Sequence, residues 1–196
     1  MTGVPSHPGQ LIVLCGPSGV GKSTISLRLQ TDTGIRYAIS TTTRSKRPGD
    51  DKGKVYAYVT TEEFFRRLDH DDFLEYAQVY GDYYGTPKHP TLGDLGDGKD
   101  VLLEIDVQGA LQVRYQYTDA LMIFILPPDE PTLLSRLNSR ARDTADDITR
   151  RFRAAKREIH MAKGSRAFDH MVINDDLGRA VTEIERIIAN KKTGAL

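Results

Sequence analysis

The sequence has no excess of charge of either sign. Its 196 residues include 27 Lys and Arg against 27 Asp and Glu, so the formal net charge at pH 7 is zero. A neutral chain has no overall field that would attract nucleic acid or an anionic membrane surface. Affinity for phosphate must therefore come from local placement of charge, and we expect no nucleic-acid partner.

Cysteine and long apolar runs are also scarce. The single cysteine, Cys15, cannot form an internal disulfide, which favours a reducing compartment. No apolar run approaches the ~20 residues of a membrane span, and residues 1–10 lack the apolar core of a signal peptide. We expect a cytoplasmic protein with no membrane partner, and the sequence does not define its oligomeric state.

Short apolar runs alternate with segments of helical periodicity along most of the chain. Buried or half-buried strands are predicted at 11–15, 55–59, 73–79, 101–105, 121–126 and 171–173, and helices from about residues 22, 108, 129 and 180. Strands that alternate with helices predict an α/β fold with a mainly parallel sheet.

One stretch differs in character from its surroundings. Residues 40–95 are rich in strand-forming and aromatic residues, and Thr60 with Glu63 predicts a capping box at the start of a short helix. The prolines and glycines after Thr86 predict that the last helix of this stretch is weak. We therefore divide the chain into a flexible N-terminal arm (1–10), a core (11–39 and 96–196) and a small inserted subdomain (40–95).

The first strand runs into a glycine-rich loop that opens a helix. The loop fits the pattern G-x-x-x-x-G-K-[ST], and its residues are Gly16, Pro17, Ser18, Gly19, Val20, Gly21, Lys22 and Ser23. Glycines let backbone N–H groups wrap a polyphosphate, and the helix adds the positive end of its dipole. Lys22 would place its charge on the β- and γ-phosphates of a nucleoside triphosphate, and Ser23 would ligate Mg²⁺. A turn that only packs is the alternative, but the flanking strand and helix are the context that phosphate binding requires.

Two acids lie at the end of the strand predicted at 101–105. Glu104 and Asp106 are two residues apart, so on an extended chain their side chains point to the same side. The carboxyl ends of parallel strands meet at one edge of the sheet, which brings these acids beside the phosphate loop. One of them, with Glu104 as our candidate, can hold Mg²⁺ directly or through water; the alternative is a solvated acid at a strand end.

Further motifs accompany the loop 16–23: STTTR at 40–44 with RPG at 47–49, GKVY at 53–56, FLEYA at 73–77, GDYYGT at 81–86, LEIDVQG at 103–109 and VINDD at 172–176. Together they occur in the order and spacing of guanylate kinases, a family that the chain resembles from about Gln10 to Ala189. The resemblance implies a P-loop three-layer sandwich in which 40–95 is a GMP-binding subdomain and about 136–152 is a helical lid. It also implies an ATP:GMP phosphotransferase that uses Mg²⁺ and gives ADP and GDP.

The resemblance assigns an acceptor site to the inserted subdomain. It implies that the GMP phosphate is held by Arg44, Arg47, Tyr56 and Tyr84, and that the guanine is faced by Ser40, Glu75, Thr86 and Asp106. The chemistry agrees, because arginine forks bind phosphate oxygens in pairs and a carboxylate can accept both N1–H and N2–H₂ of guanine. The alternative for the arginines is a solvated basic loop, and for the tyrosines it is core packing.

Arginines after Leu134 resemble those of the family's lid, which approach the ATP phosphates on closure. The matching residues are Arg136, Arg140 and Arg151, and the candidate catalytic set is Lys22, Arg44, Arg140 and Arg151. Asn174 matches a position near the adenine, with a helix cap as its alternative. The chain departs from the family pattern at Ala141-Arg142, where glycine is common, and at Asp82, which is often asparagine.

Two other classes of protein are compatible with parts of this pattern. Non-catalytic relatives act as peptide-binding scaffolds, but these typically lose the phosphate loop, whereas Lys22 and Ser23 are present here. A kinase for another phosphorylated acceptor, such as a phosphorylated ribose, would not need Ser40, Glu75 and Thr86 to read a base. Because fold alone cannot separate these classes, the prediction depends on the acceptor residues.

Overall fold

The computed structural model describes residues 9–46, 50, 56–138 and 144–194. In chain order its elements are β1 (Leu11–Cys15), α1 (Lys22–Thr33), β2 (Arg36–Tyr37), β3 (Thr41–Thr42), β4 (Ala57–Tyr58), α2 (Thr61–Asp69), β5 (Phe73–Val79), β6 (Asp82–Pro87), α3 (Lys88–Gly96), β7 (Val101–Glu104), α4 (Val107–Gln116), β8 (Leu121–Leu126), α5 (Glu130–Asn138), α6 (Ala145–Ser165), β9 (His170–Ile173) and α7 (Leu177–Thr193). The strands predicted at 11–15, 73–79 and 121–126 are confirmed at those bounds.

Five strands form a parallel sheet in the order β2-β7-β1-β8-β9. β1 lies at its centre and pairs with β7 on one side, Leu11 opposite Val101, and with β8 on the other, Ile12 opposite Leu121. Every residue of β1 is buried, because a central strand of a parallel sheet is covered on both faces. The predicted α/β fold with a mainly parallel sheet is confirmed.

Side chains of β1 point alternately into two hydrophobic layers. Ile12 and Leu14 pack with residues of α1 and α7, whereas Val13 and Cys15 pack with residues of α4 and α6. Helices therefore cover both faces of the sheet, which is the three-layer arrangement expected. A smaller core around Leu133 holds α5 against α6.

A second, small sheet has the order β4-β3-β6-β5. It is attached to the core through α4: the Tyr76 N–H donates to Gln112 Oε1 at 3.2 Å, and Gln112 Nε2 donates to the Tyr76 carbonyl at 2.6 Å. The strand expected at 55–59 is present at Ala57–Tyr58, while Val55 lies outside the described residues. These two bonds fix β5, and with it the small sheet, against α4.

Two local predictions differ in part from the structure. The last helix of the 40–95 stretch, expected to be weak, forms as α3; Pro90 lies in its first turn, where a missing N–H has no helical partner to lose. The capping box at Thr60 is half formed. Thr60 accepts from the Glu63 N–H at 3.2 Å, but the Glu63 carboxylate binds Arg66 and Arg67.

Of the arm predicted at 1–10, the structure describes two residues, and both form hydrogen bonds with later parts of the chain. The Gly9 N–H donates to the Leu95 carbonyl at 2.8 Å, and the Gln10 N–H donates to the Asp100 carboxylate at 3.0 Å. Residues 1–8 lie outside the described part of the chain. Within the described ranges, no helix combines the length and apolar character that crossing a membrane requires.

Candidate active site

A cavity of about 370 Å³ lies where the carboxyl edge of the parallel sheet meets the small sheet. The loop after β1 lines one side of it, and side chains of β5 and β6 line the other. The predicted site residues that line it are Gly16, Ser18, Gly19, Gly21, Lys22, Ser23, Ser40, Arg44, Tyr56, Glu75, Tyr84, Glu104 and Asp106. The residues predicted to bind the phosphoryl donor and those predicted to bind the phosphoryl acceptor therefore line one cavity. Its volume is within the range of ligand sites.

The phosphate loop has a backbone that its glycines allow. Gly21 caps α1 with a φ of 100°, and a Cβ there would stand 2.5 Å from Asn174 Nδ2. The Lys22 ammonium donates to the carbonyls of Gly16 at 2.5 Å and Pro17 at 3.1 Å, so its charge lies inside the loop. Together with the N-terminus of α1, this makes the loop the positive end of the cavity.

Three polar side chains from later in the chain brace the loop. Asn174 Nδ2 donates to the Val20 carbonyl at 2.8 Å. Arg136 donates to the carbonyls of Val20 at 3.4 Å and Asn174 at 2.9 Å. Arg151 donates to the Ser18 hydroxyl at 2.5 Å. Segments on both sides of residues 139–143 thus contact the loop directly.

Some predicted residues lie behind the cavity wall or outside the described part of the chain. Of the described candidates, those that do not line the cavity are Pro17, Val20, Thr86, Arg136, Arg151 and Asn174. The helix-cap alternative for Asn174 is wrong, because Asp176 caps α7 and accepts from the Arg179 N–H. Arg47, Arg140 and the Ala141-Arg142 departure lie outside the described residues.

Ser23 and Glu104 form a pair of oxygen donors beside the loop. Ser23 Oγ donates to Glu104 Oε1 at 2.8 Å, and the Tyr37 hydroxyl donates to Glu104 Oε2 at 3.4 Å. Burial, followed by the charge of Glu104, raises the pKa of Tyr37. A hydroxyl and a carboxylate are donors that Mg²⁺ prefers, so the pair fits this ion if phosphate and water complete the shell. The described residues contain no group of three or more His, Cys, Asp or Glu that could hold a metal by itself.

Asp106 serves the fold as well as the cavity. Its Oδ1 accepts from the Gly109 N–H at 2.9 Å and caps α4, while its Oδ2 accepts from Gln108 Nε2 at 3.0 Å. The carboxylate that was expected to face guanine is therefore also the one that starts α4.

Glu75 is buried on β5, with 4% of its surface exposed. Its Oε1 accepts from the Thr86 N–H at 3.0 Å and from the Thr86 hydroxyl at 2.6 Å. These bonds satisfy one oxygen of a carboxylate that would otherwise be costly to bury. The other oxygen, Oε2, faces α4 so closely that a Cβ on Gly109 would stand 2.1 Å from it. The Thr86 hydroxyl, expected to face the guanine, donates its hydrogen bond to Glu75.

Arg44 is held by aromatic rings and one carboxylate. Its Nη2 donates to Asp50 Oδ2 at 3.0 Å, and its Cζ lies 5.5 Å and 5.7 Å from the ring centroids of Tyr56 and Tyr58. The Tyr58 hydroxyl donates to the same Asp50 oxygen at 2.7 Å. Tyr56 also packs edge-to-face on Tyr84, with ring centroids 5.8 Å apart. This cage fixes a cation at the wall of the cavity.

Sequence reasoning missed three residues of this region: Asp50, Tyr80 and Glu158. Glu158 lies on α6 and lines the cavity with Lys22 and Asp106. Burial raises the pKa of Glu158 to about 7; Lys22 opposes this shift and Asp106 reinforces it. The available signal was helical spacing, because Glu158 lies seven residues after Arg151 and hence on the same face.

A strand, a glycine-rich loop and a helix at the centre of a parallel sheet, with an acid at the end of the neighbouring strand, define a P-loop nucleotide-binding protein. The family model for guanylate kinase matches residues 8–191. The chain belongs to the guanylate kinase family.

Individual relatives agree with the family match. The chain is 43% identical to the guanylate kinase of Clostridium tetani over 94% of this chain and 87% of that protein. It is 44% identical to a guanylate kinase of Clostridium perfringens over 94% of this chain and 84% of that protein. The crystal structure of guanylate kinase from Anaplasma phagocytophilum matches with a TM-score of 0.78 and 29% identity, covering 94% of this chain and 87% of that one.

Proposed function

We propose that the chain transfers the γ-phosphoryl group of ATP to GMP, giving ADP and GDP, in the cavity between its two sheets. The observation that carries the proposal is that the phosphate loop lines the same cavity as two buried acceptor residues, Glu75 and Arg44. A peptide scaffold has no need of a lysine inside the loop. A kinase for a phosphorylated sugar has no need of a buried carboxylate opposite the phosphate loop.

On the donor side, the backbone N–H groups of the loop and the N-terminus of α1 bind the ATP phosphates. Lys22, Arg151 and Arg140 supply positive charge that stabilises the charge developing on the transferring group. Arg136 and Asn174 act from behind the loop, where they hold the Val20 carbonyl. Asn174 also supports the adenine end of the nucleotide.

Ser23 and Glu104 are the residues that would hold Mg²⁺. When bound, this ion would supply positive charge that offsets the negative charge of the ATP phosphates. The hydrogen bond between the two side chains keeps their oxygens together at the end of β7.

On the acceptor side, Arg44, Arg47, Tyr56 and Tyr84 bind the GMP phosphate. Arg44 must share its guanidinium between this phosphate and Asp50, its present partner. The guanine is read by Ser40, Glu75, Thr86 and Asp106, with Thr86 acting through the carboxylate that it orients. Guanine offers N1–H and N2–H₂ side by side to that carboxylate, whereas adenine offers the N1 lone pair, which repels it.

The transfer is in line between two phosphates and forms no covalent enzyme intermediate. Cys15 is fully buried, and burial raises the pKa of its thiol, so it stays protonated and unreactive. The same lone, buried thiol supports the cytoplasm as the compartment.

An assay of ADP release, with ATP and Mg²⁺ and with GMP, AMP or ribose 5-phosphate as acceptor, tests the proposal. We expect rapid release with GMP and little with the other two. Lys22→Ala should lower the rate by roughly 10²–10³-fold, the usual loss for one transition-state contact, while Cys15→Ala should retain it. A preference for either other acceptor, or near-normal turnover in Lys22→Ala, would contradict the assignment.

A further inference from the structure

A two-residue turn joins β5 to β6 at the edge of the cavity. Val79 pairs with Asp82, so the turn consists of Tyr80 and Gly81. Both have positive φ, 54° at Tyr80 and 95° at Gly81. This is the pattern of a type I′ turn, whose first position favours Asn, Asp or Gly and is unfavourable for a bulky side chain. A tyrosine kept in that conformation points to a task for its side chain.

The Tyr80 side chain reaches α6. The Arg150 guanidinium lies 5.8 Å from the centroid of the tyrosine ring. The side chain of the neighbouring Arg151 is also close enough to the Tyr80 hydroxyl to influence its pKa. Because Arg151 donates to the Ser18 hydroxyl at 2.5 Å, the Arg150–Arg151 pair of α6 lies between the hairpin of the small sheet and the phosphate loop.

We propose that Tyr80 is a positioning residue that holds Arg151 of α6 against the phosphate loop and so couples GMP binding to ATP binding. The proposal rests on the proposed function, since it takes the small sheet as the GMP side and the loop as the ATP side.

The coupling follows from the cost of ordering a long side chain. Arginine loses substantial rotamer freedom when it is fixed on a ligand. When GMP holds the small sheet in place, Tyr80 holds Arg151 before ATP arrives, and ATP binding no longer bears that cost. By linkage, ATP must then raise the affinity for GMP by the same factor.

Titration calorimetry on the full chain measures this factor. The dissociation constant of GMP is determined alone and with a saturating Mg²⁺ complex of a non-hydrolysable ATP analogue, and the ratio of the two is the coupling factor. We expect a wild-type factor of about 5 or more. Tyr80→Phe keeps the ring over Arg150 but loses the hydroxyl, and should reduce the factor roughly two- to fivefold. Tyr80→Asn loses both contacts and should bring it near one, while GMP alone binds within about twofold of wild type.

The asparagine variant separates positioning from folding. Asparagine suits the first position of this turn, so the melting temperature of Tyr80→Asn should be no lower than that of wild type. The matched control is Tyr115→Phe, which removes the hydroxyl of a tyrosine on α4 that is 88% exposed and should leave the factor unchanged.

Three results have distinct meanings. A factor that falls by more than about twofold in Tyr80→Asn, with GMP affinity and melting temperature retained, supports the coupling. A wild-type factor of one, or a factor in Tyr80→Asn within about twofold of wild type, overturns it even if the protein phosphorylates GMP. A wild-type protein that does not phosphorylate GMP refutes the proposed function itself.

Discussion

At the scale of single residues, we expect base selection to depend on the carboxylate of Glu75, which Thr86 holds in place through Oε1. Glu75→Gln keeps the shape and an acceptor for Thr86, but it places an amide N–H₂ where guanine presents its own donors. We expect kcat/KM for GMP to fall roughly 10- to 100-fold and the preference for GMP over AMP to narrow, with little change in the KM for ATP. Steady-state kinetics with both acceptors measure this.

The exposed Glu183 on α7 provides the matched control, since Glu183→Gln makes the same chemical change far from the cavity. Asp106→Asn should reduce turnover more than selectivity, because Asp106 also caps α4. An unchanged GMP/AMP ratio in Glu75→Gln would assign base reading to other residues.

Glu158 makes stability depend on pH. Burial raises its pKa from 4.5 to about 7, so between these values the unfolded chain carries the charge while the folded chain still holds the proton. The contribution of Glu158 to the free energy of unfolding is therefore fully present below pH 4.5 and is lost as pH rises through 7. For a shift of this size the loss amounts to roughly 3 kcal/mol.

Glu158→Gln has no such proton to lose. Urea unfolding at pH 5, 6, 7 and 8 should show the variant gaining stability over wild type as pH rises to 7. Every other titrating group is common to both proteins, so curves that stay parallel over this range would contradict the shift. Glu183→Gln should follow the wild-type curve.

At the scale of elements, α4 positions the acceptor site by how closely it approaches β5. Gly109→Ala favours the helix by up to ~1 kcal/mol, but its Cβ would stand 2.1 Å from Glu75 Oε2. The carboxylate must then leave its place beside Thr86. We expect GMP affinity to fall roughly tenfold or more while ATP affinity is retained.

Titration calorimetry with each nucleotide checks this prediction. Gly164→Ala is the control, because it makes the same substitution in α6, where a new Cβ would have no atom within 4 Å. Equal GMP affinity in the two variants would contradict the prediction, because it would show that Glu75 can shift without any loss of GMP binding.

The elements also show how far the sequence leads. β1 and the phosphate loop could be predicted because their signals are local: an apolar run, then a fixed spacing of glycines. The pairing of Glu75 with Thr86 could not, because it depends on the register of two strands. The ion pair between Asp50 and Arg44 could not be predicted either, since neither residue lies in a strand or helix whose periodicity would place it. Asn174 and Asp176 are both short polar residues near a helix start, so the sequence alone does not show which of them caps α7. In the structure Asn174 directly follows β9 and binds the Val20 carbonyl, and Asp176 is the cap.

At the scale of the whole molecule, we expect the 40–95 subdomain and the lid at about 136–152 to close over the core when both nucleotides bind. The reason is that ATP must be kept from water until an acceptor is in place. The radius of gyration, about 16 Å for a compact chain of this length, should fall when a ligand that spans both sites is added.

Small-angle scattering measures this change. GMP alone and an ATP analogue alone serve as the comparison, and each should give a smaller change than the two-site ligand. An unchanged radius of gyration at saturation would count against closure.

The central place of β1 in the sheet also bears on how the chain is made. This strand is translated before the strands with which it pairs, β7 and β8, where Leu11 lies opposite Val101 and Ile12 opposite Leu121. The loop after β1 thus gains both of its neighbouring strands only after residues 101–126 have been translated. Since domains generally fold as units during synthesis, we expect β1, which is fully buried in the folded protein, to stay without its sheet partners until β8 appears.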